Sequence, residues 1–290
     1  MNSLENARIL ITGAGGWLGR ETLCLLQREV GSLDELSLTL TGSAERSIDI
    51  HGESVQIVRN DQAVKNDAFD LILHLAFITQ EKAFSMGENA YAQVNLKLNE
   101  TALRVALSNP DARQLVLSSG AAKLYLDKQL NSQSKSIYAK LKLDLEKKTQ
   151  DARTLVLRLW NTSGHHLGIN PNYAISEFIY SAKKNQSIDI RNNLRRSYVH
   201  SQDIIRASIQ FLSEGGSGIV NSGGTITDLS NLATQIVKIN NSESKISLNE
   251  NSKHTGLDYL SPVSEIPEKY WVHELNLEQQ IIETSSGIDC

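Results

Sequence analysis

The sequence predicts an α/β fold: a doubly wound parallel sheet with a smaller, mostly helical C-terminal lobe. Three observations carry this expectation. Strand-like and helix-like segments alternate through the first half of the chain. The runs Leu71-Ile72-Leu73 and Leu115-Val116-Leu117 are short and continuously apolar, as suits strands buried on both faces of a parallel sheet. A glycine-rich stretch, Thr12-Gly13-Ala14-Gly15-Gly16-Trp17-Leu18-Gly19, separates the first apolar run from the first helical segment.

Ile9-Leu10-Ile11 is the centre of a strand over 8–12, and the helical pattern that follows covers 17–29. Between them Gly13 turns the chain sharply out of the strand. Gly16 lets backbone approach a pyrophosphate, and Gly19 lets the helix lie close on the strand. The helix N-terminus adds free amides and a partial positive charge. Strand, glycine turn and helix in this order predict a dinucleotide site. Such turns also occur without a ligand, so the rest of the chain has to decide.

Further strands are expected near 36–41, 54–58, 70–75, 113–118 and 153–159, and helices near 88–108, 137–150 and 201–213. This alternation implies right-handed βαβ units. Residues 161–196 change character, with Gly164, Gly168 and Pro171 among many polar residues and a helix-like 174–184; a helix-rich tail follows from 228. The expected division is a dinucleotide-binding domain over 1–160, to which 197–237 returns, and a substrate lobe formed by 161–196 and 238–290.

The chain has 290 residues, 40% hydrophobic and 21% charged, with net charge −4. Nothing in that balance suits a nucleic-acid partner. A site for an anionic ligand therefore has to be made from a few basic residues and backbone amides. Cys24, in the first helix, and Cys290, at the end, make neither a disulfide framework nor a metal-ligand spacing. No metal is expected, and a reducing compartment fits. The longest apolar run, Leu71 to Ile78, is interrupted by His74 and is too short for a membrane. The first strand is reached by Arg8, which leaves no room for a signal peptide, so a cytoplasmic protein is expected.

Tyr138 and Lys142 lie four apart on a predicted helix and so share a face. A phenol with a pKa of about 10 is a poor base at neutral pH. A neighbouring ammonium favours the phenolate. Ser118 and Ser119, at the end of the preceding strand, offer hydroxyls to orient the same substrate oxygen. This is the equipment of carbonyl–alcohol redox chemistry beside a hydride carrier. Alone, a Tyr-x-x-x-Lys spacing is common in helices. Downstream of the glycine turn and inside a parallel-sheet pattern, it is specific.

At this point the chain resembles the extended short-chain dehydrogenase/reductases, and within them the nucleotide-sugar epimerase/dehydratase branch. The resemblance runs from Ile9 to about Val237. It rests on the glycine motif, His74-Leu75-Ala76, Asn95, Tyr138 with Lys142, Arg158…Asn161…Gly164 and Arg196-Ser-Tyr-Val-His200, which stand in the family's order. It implies a Rossmann-type sheet and a homodimer paired through the helices at 88–108 and 137–150. It implies that Gly13, Gly16, Trp17, Leu18 and Gly19 cradle a pyrophosphate. Leu75, Ala76 and Phe77 line the cofactor, Tyr138 is the acid–base, and Lys142 holds the nicotinamide ribose and tunes Tyr138. Asn161 and Arg196 contact a sugar-nucleotide diphosphate; the plain alternative for Arg196 is a surface salt bridge. Ser119 is the expected catalytic hydroxyl, with Ser118 also at the substrate. His74 is expected to bond backbone, Asn95 to be structural, Asp203 to cap or pair at the start of its helix, and His165 with His166 to be a hydrogen-bonded loop pair.

Two departures from the family pattern narrow the reading. Gly120 and Ala121 stand where sugar 4,6-dehydratases of the family carry an Asp-Glu pair, so that dehydration is disfavoured. The second strand ends in Thr41-Gly42-Ser43-Ala44-Glu45-Arg46, without the acid that would hold the ribose hydroxyl of NAD. Ser43 and Arg46 suit a 2′-phosphate, which favours NADP over NAD, while Glu45 keeps NAD open. The expected activity is a 4-epimerase or 4-ketoreductase acting on a nucleotide sugar. The alternative is a non-catalytic dinucleotide-binding sensor or subunit.

Overall fold

The computed structural model describes residues 4, 6–60, 68–80, 85–130, 133–170, 172–248, 256–272 and 274–288. Pro171 and Cys290 lie outside them. The described chain divides into two compact units: Met1–Leu159 with Ile205–Val220 and Ile266–Tyr270, and Trp160–Ile204 with Asn221–Glu265 and Trp271–Cys290.

The first unit is a Rossmann-type sheet. Its strands are β1 (Arg8–Thr12), β2 (Ser37–Gly42), β3 (Arg46–Ile50), β4 (Glu53–Arg59), β5 (Leu71–His74), β6 (Arg113–Ser119), β7 (Thr154–Leu159) and β11 (Gly218–Asn221). Their order is β11-β7-β6-β5-β1-β2-β4-β3. Pairing is parallel from β7 through β6, β5, β1 and β2 to β4. The four residues of β5 and the six of β7 are all buried, as the continuous apolar runs require. Strand order reverses at β1, which has β2 on one side and β5 on the other. The crevice beyond the carboxyl ends of these strands is where ligands bind in such sheets.

Helix α1 (Trp17–Val30) follows the glycine turn, and α2 (Glu88–Ser108) links β5 to β6. Two elements depart from expectation. The edge strand β3, absent from the expected strands, pairs antiparallel with β4. Its two-residue turn is His51-Gly52, both with positive φ (45° and 89°), and the Gly52 amide donates to Asp49 Oδ1 at 3.1 Å. Arg-Ser-Ile-Asp-Ile before that turn alternates polar and apolar, which is the hairpin signal the sequence carried. The second departure is α3 (Gly120–Leu126), a short helix capped by Ser119; α4 then runs over Gln133–Thr149, starting earlier than expected.

In the second unit two small sheets accompany the helices. Strands β12 (Thr225–Asp228), β10 (Arg195–His200) and β8 (Asn161–Ser163) form one sheet, and β13 (Ile246–Leu248) pairs with β9 (Ile188–Ile190) in another. Around them lie α5 (Ala174–Lys183), α7 (Leu229–Ile239) and α8 (Leu277–Ser286). Helix α6 (Ser201–Ser213) begins in this unit. An Asn276/Gln279 capping box opens α8. Polar contacts seat that helix: Ser163 Oγ donates to Gln280 Oε1 (2.8 Å), the Gly164 amide donates to Thr284 Oγ1 (3.0 Å), and His165 Nδ1 bonds Ser286 Oγ (2.9 Å).

Candidate active site

The glycine turn is fixed by contact with β5. Gly13 has φ +71°, and a Cβ there would stand 2.7 Å from the Ala76 Cα. Gly19 is equally constrained, because a Cβ would fall 2.4 Å from the Gly13 carbonyl oxygen. The β5 end is tied to β1 by the Leu75 amide donating to the Thr12 carbonyl (3.2 Å) and the Ala76 amide donating to Thr12 Oγ1 (3.3 Å). Asn95, fully buried on α2, clips the next stretch: its Oδ1 accepts from the Ile78 amide (2.8 Å) and its Nδ2 donates to the Ile78 carbonyl (3.2 Å). Asn95 therefore positions the loop that follows β5.

These elements surround a cleft of about 440 Å³ at the carboxyl ends of the strands. Gly13, Gly16, Ser43, Arg46, Leu75, Ala76 and Phe77 of the expected cofactor set line it. Trp17, Leu18 and Gly19 form the first turn of α1, beside the cleft rather than in its lining. The donor set fits the phosphates of a dinucleotide. Apolar Leu75, Ile78, Val94 and Leu98 form one wall, and the glycine turn with the α1 N-terminus offers amides to phosphates. Arg59, Asn60, Lys97, Thr101 and Arg104 also line the cleft, and the sequence reading missed them. Their signal was weak, because they come from the end of β4 and one face of α2, whose approach only the tertiary fold creates.

Phe77 joins the cleft to the expected acid–base pair. Its ring stands edge-on to Tyr138 (centroids 5.6 Å apart, 86° between planes), and the Lys142 ammonium lies 3.7 Å from the Phe77 ring centroid. Tyr138 is half-buried and Lys142 is buried, one turn apart on α4. Lys142 Nζ donates to the Leu117 carbonyl at 2.8 Å. Burial lowers the Lys142 pKa to about 7, opposed by the carboxylate of Glu146.

The two serines are both engaged by protein groups. Ser119 Oγ caps α3, accepting from the Ala121 amide at 3.2 Å. Ser118 Oγ donates to Glu146 Oε1 at 2.5 Å. Glu146 is also gripped bidentately by Arg158, at 2.9 and 2.6 Å, and both side chains are buried. A charge pair of this kind is held by its hydrogen bonds rather than by solvent. His74 bonds a side chain, not backbone: Nδ1 lies 2.8 Å from Thr12 Oγ1. Burial, with Lys142 nearby, pushes the His74 pKa down to about 3.

In the second unit, Asn161 and Arg196 lie on β8 and β10, adjacent strands of one sheet. Asn161 Nδ2 donates to the carbonyls of Ser197 (3.1 Å) and Tyr259 (3.3 Å). Arg196 is half-buried, and its Nη1 donates to the carbonyls of Arg195 (3.0 Å) and Leu257 (3.2 Å). Burial lowers its pKa, countered by Tyr198, Asp258 and Tyr259. The segment around Tyr259 bridges to Arg196 in parallel, and the Tyr259 ring lies 4.8 Å from that of Trp160. Tyr259 was outside the sequence reading, which had no register beyond 240. At the start of α6, Asp203 Oδ2 accepts from the Leu275 amide (2.8 Å) and lies 3.8 Å from His200.

The described residues hold no cluster of His, Cys, Asp or Glu fit for a metal, and no described helix is long and apolar enough to cross a membrane. A search of curated proteins gave no match. Among solved structures, a UDP-N-acetylglucosamine 4-epimerase from Methanobrevibacter ruminantium, in complex with UDP-N-acetylmuramic acid, is similar at TM-score 0.77 and 17% identity over 98% of each chain. A UDP-glucose 4-epimerase from Thermus thermophilus, in complex with NAD, is similar at TM-score 0.70 and 15% identity over 97% of this chain and 98% of that one. TunA, an NAD-dependent NDP-hexosamine 5,6-dehydratase involved in tunicamycin biosynthesis, is similar at TM-score 0.72 and 15% identity over 97% of each chain. At such identities the likeness shows the fold. Residues 9–223 match the model of the NAD dependent epimerase/dehydratase family. With about three quarters of its length matched and the glycine turn, the Tyr138/Lys142 helix and the Rossmann-type sheet in place, the chain belongs to the NAD-dependent epimerase/dehydratase family.

Proposed function

We propose that the protein is an NAD(P)-dependent oxidoreductase or isomerase that acts at C4 of a nucleotide-activated sugar, as a 4-epimerase or a 4-ketoreductase. The observation that carries this is the single ring of Phe77, which lines the cleft beside the glycine turn and touches both Tyr138 and Lys142. A nicotinamide dinucleotide bound there supplies hydride acceptance and donation. Tyr138 handles the proton. In the oxidative direction its phenolate accepts the proton of the sugar hydroxyl; in the reductive direction its phenol returns a proton to the new alkoxide. Lys142 favours the phenolate by its charge. In an epimerase, both directions occur in one cycle, on opposite faces of the sugar. In a ketoreductase, only the second occurs.

Several features support the finer parts of this reading. Ser43, just after β2, and Arg46, at the start of β3, favour NADP over NAD. Arg196 supplies a guanidinium for the diphosphate of the sugar nucleotide, while Asn161, whose Nδ2 holds the Ser197 and Tyr259 carbonyls, acts by shaping that segment. Ser119, at the carboxyl end of β6, is the proposed hydroxyl for the substrate oxygen, while Ser118 Oγ is held by Glu146. Gly120 and Ala121 provide no acid or base for 4,6-dehydration. A homodimer through α2 and α4, in the cytoplasm, completes the proposal; Leu107 on α2 is 81% exposed.

The test is turnover of UDP- and dTDP-sugars with NAD(P)(H), followed by product analysis. Replacing Tyr138 with Phe is expected to cost about 10²–10⁴-fold in rate with the fold intact. Turnover within about twofold of the parent would remove Tyr138 from the mechanism. The engagement of both serine hydroxyls by protein groups favours one second reading, a dinucleotide-binding sensor or subunit without catalysis. Dinucleotide binding with no turnover on any sugar nucleotide would select it.

A further inference from the structure

The cleft is more cationic than a pyrophosphate needs. Every ionisable side chain among its described lining residues is a base: Arg46, Arg59, Lys97 and Arg104. Yet acids outnumber lysine and arginine in the chain, 33 to 29. The pyrophosphate of a dinucleotide is already met by the glycine turn and the α1 N-terminus.

The strand register groups these cations. Arg46 stands opposite Ile57 in the antiparallel β3–β4 pair, so their side chains share a face. Arg59 lies two residues further along β4 and shares that face too. Gly42 is the parallel neighbour of Arg59 and places no side chain beside it. Two arginines therefore flank a bare patch at the end of β2. Arg46 is drawn over the glycine turn, with Nη2 donating to the Gly15 carbonyl at 3.0 Å; a Cβ on Gly15 would collide with that guanidinium. Lys97 and Arg104 line the cleft from α2, seven residues apart on one face, with Arg104 Nη2 donating to Thr101 Oγ1 at 3.4 Å.

We propose that Arg59, Lys97 and Arg104 are specificity-determining residues that extend the Arg46 site into a phosphate-binding wall, so that the cleft selects a dinucleotide phosphorylated on its adenosine ribose. This rests on the reading of the cleft as the dinucleotide site. Guanidinium groups suit the task because their planar fork binds phosphate oxygens bidentately.

Calorimetric titration of the full chain with NADP⁺, NAD⁺, 2′,5′-ADP and 5′-AMP tests it, in the parent, in Arg59→Ala and in the double variant Lys97→Ala/Arg104→Ala. The parent is expected to bind 2′,5′-ADP about tenfold or more tighter than 5′-AMP, and each variant to lose most of that ratio with 5′-AMP binding little changed. All three residues are exposed, so thermal unfolding midpoints close to the parent's are expected to accompany the loss. Equal weakening of both half-ligands, or no weakening of either, overturns the proposal. NAD⁺ bound as tightly as NADP⁺ by the parent overturns it while leaving the dinucleotide reading standing. Binding of neither dinucleotide overturns that reading as well.

Discussion

His74 and His200 each close a strand, one in each unit of the chain, and each is buried to within 3% of full exclusion from solvent. Their charge states nonetheless run in opposite directions. His74 touches Thr12 Oγ1 through Nδ1, has no hydrogen-bond partner at Nε2 among the described residues, and lies near the Lys142 ammonium; its pKa falls to about 3. His200 Nε2 lies 3.0 Å from the Glu283 carboxylate, and Nδ1 lies 3.8 Å from Asp203; its pKa rises to about 9 against the opposing effect of its own burial. The comparison teaches that burial alone does not set the protonation of a histidine. A neutral ring is stable beside a cation and a hydroxyl, and an imidazolium is stable between two carboxylates. It also separates the two units by task. Lys142, a buried base of the first unit, stands one turn from a candidate acid–base residue, whereas His200 of the second holds the helix that carries Glu283.

The largest expected effect tests whether charge pairing in the first unit is structural as well as chemical. Glu146→Gln leaves Arg158 buried without its counter-charge, and a loss of about 3–5 kcal/mol in stability is expected by denaturant unfolding. A loss below about 1 kcal/mol would mean that solvent reaches the pair. Next come the two histidines. Below pH 6.5 the unfolded chain protonates His74 and the folded chain does not until about pH 3. Stability should therefore fall with acidification across that window by up to about 1.4 kcal/mol per pH unit, beyond the loss seen in His74→Asn. For His200 the sign reverses. Its contribution is full below pH 6.5 and disappears as pH rises to about 9. Lys142, titrating from about 7, acts oppositely there, because its buried charge costs stability until it is lost. The difference between the parent and His200→Gln isolates the histidine, and a difference independent of pH would break the comparison. The smallest effect concerns the helix that His200 holds. Asn276→Ala removes the cap of α8 and should cost about 1 kcal/mol, read by thermal unfolding.

Much of the first unit was legible in the sequence because its signals are local. Continuous apolar runs marked buried parallel strands, and glycines marked a turn whose Cβ contacts leave no room for a side chain. The Tyr138/Lys142 spacing marked one helical face. The edge hairpin at His51-Gly52 was equally local, but its first strand, Arg46–Ile50, is short and mostly exposed and was not among the expected strands. The short helix α3 was passed over because Ser119 read as a hydroxyl for chemistry, and its capping bond to the Ala121 amide competes with that role. In the second unit, the approach of Tyr259 to Arg196 joins residues far apart in the chain, with no periodic pattern to announce it.

Taken by itself, then, the sequence determined the fold class, the glycine turn and the helix that carries Tyr138 and Lys142, since each depends on residues within a few positions of one another. Only the tertiary structure decided what those groups face. It set Phe77 against both members of the pair, turned Ser118 onto Glu146, and brought Arg59, Lys97 and Arg104 to the cleft that Arg46 lines. It also left one buried histidine neutral and made the other a cation. The physical reason is that burial, desolvation and charge pairing are properties of neighbours in space, and those neighbours come from strands and helices far apart in the chain.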